Sequence, residues 1–197
     1  MPFLEEVKED SLGEGPLSYL DIGCSEGHIT SAVAETMGID PKSAFGVDVV
    51  NQPPEPAFTF ALTNGTTLDF PDATFALETM FMSMHHFRRP TEMFAESRRV
   101  AKKGATLIVR EHNMSQPYLA LWFDLAHAAY SVIFNAEETP EEFAEKYAAG
   151  TYAYYHTRGE WESMLAEAGW KLRAYAETGK HGQGDSMNAY YASFVAV

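Results

Sequence analysis

The sequence predicts an α/β fold: a mostly parallel sheet with helices on both faces and an antiparallel strand pair at its C-terminal edge. Three observations predict it. Leu17–Ile22 is an apolar run broken only by Ser18 and Asp21 and followed by Gly23, the pattern of a buried parallel strand ending in a tight turn. A helical pattern and a second apolar run follow within about thirty residues, the size of one strand–helix–strand unit. Much later, Trp170–Thr178 and Ala189–Val197 both alternate, and the polar, glycine-rich stretch Gly179–Asp185 between them is too short for a crossover helix, so these two pair antiparallel.

The elements follow in order. Ile29–Met37 carries Ile29, Ala32, Val33 and Met37 at helical spacing, with Gly38 as its stop. Ala44–Val50, interrupted at Asp48, is the second strand, and Phe58–Leu62 and Phe75–Met84 are the next two. Thr91–Lys103 reads as a helix capped by Thr91, with Arg98, Arg99, Lys102 and Lys103 as a solvated basic end and Gly104 as its stop. Ala105–Arg110 is the fifth strand. Pro117–Phe134 is an apolar helix, Pro140–Ala149 an acidic amphipathic one, and Thr157–Ala168 a helix with Trp161, Met164 and Leu165 inward.

The chain of 197 residues fits one domain spanning 1–197. With 28 acidic and 14 basic side chains its net charge is −14, which argues against a broad nucleic-acid footprint. A composition that is 46% hydrophobic and 21% charged excludes intrinsic disorder. The single Cys24 excludes a disulfide framework and a multi-cysteine zinc site; it fits a reducing compartment, and a cytoplasmic location is expected. Met1–Asp10 is acidic and has no leader pattern. The most apolar stretch, Tyr118–Phe134, contains Asp124 and His127 and is shorter than the roughly 20 residues a membrane span needs, so no span is expected.

The chemistry concentrates at the first strand-to-helix turn, Asp21-Ile22-Gly23-Cys24-Ser25-Glu26-Gly27. Glycines there let a ligand approach the backbone, and ligands of open α/β sheets bind beyond the carboxyl ends of the strands. Asp48 ends the second strand, where a carboxylate can grip two ribose hydroxyls. The dinucleotide pattern G-x-G-x-x-G fails, because from Gly23 its later positions hold Ser25 and His28.

What stands instead, D-x-G-x-x-x-G, resembles the first motif of the class I S-adenosylmethionine-dependent methyltransferases, with Ser25 at a usual glycine. Asn64-Gly65-Thr66-Thr67-Leu68-Asp69-Phe70-Pro71-Asp72 through Phe75, Ser83-Met84-His85-His86-Phe87, Phe94–Gly104 and His156–Trp170 resemble successive segments of the methyltransferase type 11 group. The resemblance implies a Rossmann-like, seven-stranded sheet and S-adenosyl-L-methionine as cofactor. It implies that Asp21 and the Gly23–Gly27 turn, with Cys24 and Ser25, hold the methionine part, Asp48 the ribose, Asn64 and Gly65 the adenine, and that Ser83 and Met84 flank the sulfonium. Asn64 replaces the family's usual aspartate, and an amide still accepts from the adenine amino group. Few residues precede the first strand, so a helical insert over about 115–155 is expected to cover the acceptor side.

Catalytic candidates lie at the end of the fifth strand. His112 is expected as a general base with Glu111 as its orienting partner or substitute, if the acceptor must lose a proton. Asp124 and His127, three apart on one helix face, make a weaker pair, and Tyr152, Tyr154, Tyr155 and His156 could stack a flat acceptor. His85 and His86 are adjacent and lack metal-ligand spacing, so no metal is expected. Cys24 is expected to pack. Charge and resemblance favour a small-molecule acceptor over RNA, a cap included. A cofactor-binding module acting through a partner, a nucleotide-dependent oxidoreductase, and a protein partner or homodimer stay open.

Overall fold

The structure, a computed structural model, describes residues 3–5, 7, 17–50, 56–116, 118–125, 141, 153–178 and 188–197. Its seven strands are β1 (Tyr19–Ile22), β2 (Ala44–Asp48), β3 (Thr59–Leu62), β4 (Phe75–Phe81), β5 (Ala101–His112), β6 (Trp170–Glu177) and β7 (Ala189–Ala196). They form one sheet in the order β3-β2-β1-β4-β5-β7-β6. β3, β2, β1, β4 and β5 run parallel, while β7 is antiparallel to both β5 and β6. The predicted fold is the observed one.

Helices that flank the sheet among the described residues include α1 (His28–Met37), α2 (Pro90–Val100) and α3 (Arg158–Glu167). α1 buries Thr30, Val33, Ala34 and Met37, spaced to share one face, and ends on the left-handed Gly38. It closes one core with Tyr19, Leu77, Phe81 and Ile108. On the other face Met93, Phe94 and Val100 of α2 and Trp161 and Leu165 of α3 pack on Leu20, Ile22, Leu107 and Phe194. α3 opens with a capping box: Thr157 Oγ1 accepts from the Glu160 N–H, and Glu160 Oε2 accepts from the Thr157 N–H at 2.7 Å.

One helix differs from its sequence reading. α2 starts at Pro90, Thr91 makes no cap, and the helix ends at Val100; Ala101, Lys102, Lys103 and Gly104 already belong to β5. The cause is non-local. The backbone N–H groups of Ala73 and Thr74 donate to the carbonyls of Arg99 and Val100, satisfying the helix end from outside and starting the β4–β5 pairing at Phe75 and Ala101. Arg99 is also no solvated helix end: it donates to Leu68 and Phe70 carbonyls and pairs with Glu96 and Asp72.

Residues 118–125 are helical, within the predicted 117–134 helix. The predicted 140–149 helix apart from residue 141, the 179–185 connection, His127, Tyr152 and most of the expected cover lie outside the described residues. No helix of the described residues is long and apolar enough to cross a membrane.

Candidate active site

The carboxyl ends of the parallel strands meet at one edge, and the predicted residues gather there in two groups. The first surrounds the turn after β1. Gly23 has φ +81° and donates to the Val47 carbonyl; a Cβ on it would stand 2.4 Å from Ser83 Cβ. Only glycine fits there. Ser83 is itself buried and donates from Oγ to the Ile22 carbonyl at 2.9 Å, so β1 and the segment after β4 touch directly. A Cβ on Gly27 would strike the Phe58 ring at 2.3 Å. Its bareness thus makes room for Phe58, a residue sequence reasoning left in a strand without a role.

Asp21 is buried at the centre of this group. Its Oδ2 accepts from the Thr30 hydroxyl and its Oδ1 from the Thr79 hydroxyl, each at 2.6 Å. Burial pushes its carboxyl up to about 6, against the lowering effect of those two hydrogen bonds. Asp21 therefore ties β1, α1 and β4 together behind the turn. Cys24 is buried, and burial, with Asp21 and Asp48 nearby, pushes its thiol up to about 12. It is a packing residue and a poor nucleophile.

Asp48 is half-buried at the end of β2. Its Oδ2 accepts from the Ser25 N–H at 2.7 Å, and its Oδ1 from the N–H groups of Val49 and Val50. The carboxylate is thereby fixed beside the glycine turn. Val49 and Val50, 61% and 55% exposed, leave an apolar bed next to it, and a Cβ on Gly65 (φ +80°) would stand 3.3 Å from Val49 Cγ1. The signal for Val49 and Val50 was their place directly after the strand-ending acid. Asn64 Oδ1 accepts from the N–H and hydroxyl of both Thr66 and Thr67. Its carbonyl oxygen is thus turned into its own loop, where the sequence reading turned it to adenine.

The second group joins β5 to the short turn Met84–His86 after β4. Glu111 and His112 are buried, as are Met84 and His85. Glu111, expected as the orienting partner of the His112 ring, makes its side-chain hydrogen bond to another ring. Its Oε1 meets His85 Nδ1 at 2.7 Å and accepts the His112 backbone N–H at 2.7 Å, and its Oε2 accepts the His85 backbone N–H at 3.2 Å. Burial raises the Glu111 pKa, but the charge of His85, its ring hydrogen bond, the His112 N–H and the charge of His112 outweigh it and hold the carboxyl below the ordinary glutamate range. His85, given no role by its spacing, is the residue sequence reasoning missed. Phe123 stacks on the His112 ring at 4.3 Å and Tyr155 on His85 at 5.9 Å, while the Tyr155 hydroxyl donates to Asp124. Asp124 thus has a partner in Tyr155, and Phe123 and Tyr155 both pack against the histidines.

Comparison with known proteins agrees with this geometry. A methyltransferase domain family matches residues 20–109. No curated protein matches the chain by sequence. Among solved structures, an S-adenosylmethionine-dependent methyltransferase of Methanosarcina mazei superposes with a TM-score of 0.67 at 17% identity, covering 100% of this chain and 98% of the other. One of Mesorhizobium loti gives 0.63 at 14% identity, covering 96% of each chain. The complex between the Haloferax volcanii Trm112 methyltransferase activator and a methyltransferase gives 0.62 at 13%, covering 96% and 88%. At such identities the structural likeness speaks for the fold.

Proposed function

We propose that this chain, an S-adenosylmethionine-dependent methyltransferase by its matched domain and its site, methylates a small molecule at the edge formed by β4 and β5. The residues present fit the cofactor. Gly23 leaves a cradle that a Cβ would fill, Asp48 presents a fixed, half-buried carboxylate for two ribose hydroxyls, and Val49 and Val50 offer an apolar face to a purine. Ser25, with its left-handed backbone at φ 47° and its N–H on Asp48, and Cys24 complete the turn around the methionine part, while Gly65 and Asn64 border the adenine. When bound, S-adenosylmethionine supplies a methyl group on a positively charged sulfur. Ser83 and Met84, at the junction of the two groups, would border that sulfur.

The chain's own work is then positioning, water exclusion and proton handling. An acceptor that must lose a proton would lose it beside His112, Glu111 and His85. The observation that carries the small-molecule reading is the packing of the Phe123 and Tyr155 rings against these buried groups, flat apolar walls of the size of a small acceptor. The net charge of −14 also disfavours RNA. A single domain whose segment 115–155 covers the acceptor, in a reducing, cytoplasmic setting suited to a lone thiol, completes the proposal. A protein partner remains the second reading, favoured by the likeness to a methyltransferase solved with an activator.

Calorimetric titration with S-adenosylhomocysteine tests the cofactor edge. Asp48→Ala removes hydrogen bonds to a charged group, worth about 1.5–3 kcal/mol, so affinity should fall roughly 10- to 150-fold. Unchanged affinity in the folded variant would overturn the placement. Methyl transfer to capped RNA, with none to small hydroxyl or amine acceptors, would overturn the acceptor class.

A further inference from the structure

We propose that His85, Glu111 and His112 form a binding site for a divalent transition-metal ion at the acceptor edge. The three come from separate places, the turn after β4 and the last two residues of β5, and each is buried. One ligand atom from each lies within 4.8 Å of the others. Neighbouring ligands of a tetrahedral ion bound at about 2.1 Å stand about 3.4 Å apart, so the widest pair closes by up to about 1.4 Å, within the reach of a side-chain rotation. Two imidazoles and one carboxylate suit Zn²⁺, Fe²⁺ or Co²⁺ over Mg²⁺ or Ca²⁺, and three protein ligands leave positions for an exogenous one.

The surroundings favour a bound cation. Glu111 Oε1 accepts two hydrogen bonds and Oε2 one, so Oε2 keeps a lone pair. Phe123 and Tyr155 fix the imidazole planes by stacking, which orders the ligands in advance.

The role of the ion rests on the methyl-transfer reading above; its binding does not. An acceptor hydroxyl reaching a remaining position would become easier to deprotonate. Its proton would leave to solvent, its lone pair would form the O–CH₃ bond, and the electron pair of the broken S–CH₃ bond would stay on sulfur, giving S-adenosylhomocysteine. The site thus selects oxygen acceptors.

The test uses the full chain, stripped with a chelator and titrated with Co²⁺ while visible absorption is recorded, then with Zn²⁺ in competition. One equivalent should bind with ligand-field bands displaced by Zn²⁺. His85→Ala, His112→Ala and Glu111→Gln should each weaken Co²⁺ at least about tenfold, whereas His28→Ala, at an exposed surface pair, should not change it. Titration of the same samples with S-adenosylhomocysteine reports independently on the fold and on the cofactor reading. Absence of stoichiometric Co²⁺ and Zn²⁺ binding by the native chain, equal affinity in the three variants, or loss of binding in His28→Ala overturns the proposal.

Discussion

The loop after β1 presents backbone at the edge of the sheet, whereas the ends of β4 and β5 present side chains. On the first side the fitted elements are glycines and amide groups, and the carboxylates behind them, Asp21 and Asp48, are held by neutral partners: two threonine hydroxyls and three backbone N–H groups. On the second side a carboxylate with no exposed surface lies against two imidazoles. The protonation of the two buried acids follows from their company. Neutral donors do not overcome burial at Asp21, and its pKa rises; the histidines do at Glu111, and its pKa falls. A neutral scaffold can be kept the same for one invariant cofactor, whereas a charged cluster can act on a proton or an ion.

The sharpest way to break this contrast is Glu111→Leu. It strands the His85 ring N–H, the His85 backbone N–H and the His112 backbone N–H in the interior. Removing one partner of such a buried pair costs about 3–5 kcal/mol, read by urea unfolding. A loss below about 1 kcal/mol would mean that side chains do not hold this edge together.

Asp21→Asn sharpens it next. Asp21 releases its proton near 3.8 when unfolded but only near 6 when folded. The folded chain therefore binds more protons between those values, and stability from this group is fully present below about pH 4, falls as pH rises through 6, and stays low above. Between pH 4 and pH 7 the variant should gain about 2.4 kcal/mol relative to the parent in urea unfolding at the two pH values. A difference that is flat with pH would place Asp21 among charged partners after all.

Gly23→Ala is the smallest in stability and the most specific in effect. The positive φ alone costs about 1–2 kcal/mol, and the Ser83 Cβ at 2.4 Å forces the loop to move. Thermal melting should show the strain, and S-adenosylhomocysteine affinity should drop with it. Retention of full affinity would show that the backbone there is not the fitted surface.

The legibility of the two regions in the sequence differs for the same reason. The glycine turn, α1 and Asp48 lie within one strand–helix–strand unit, so their spacing along the chain is also their spacing in space. The pair Glu111–His85 spans 26 residues and depends on the parallel register Phe81–Arg110, which no local pattern states. A signal was present: if both strands end at one edge, the histidines after β4 must meet the Glu-His pair that ends β5. Asn64 is the opposite case, since its oxygen is taken up within its own loop by threonines two and three residues on, partners that the family pattern does not state. The end of α2 was misplaced because its cap arrives from Ala73 and Thr74.

The strand order also sets a timetable. β7 lies between β5 and β6, and its Tyr190 and Tyr191 stand opposite Glu111 and Arg110. A chain emerging from the ribosome has β1 to β4, and with them the whole cofactor edge, before β7 exists. β6 finds no sheet neighbour until the strand made after it slides in between. The half of the site proposed for the cofactor is thus complete early, and the half proposed for the acceptor is finished last, by the most sequence-distant pairing in the sheet.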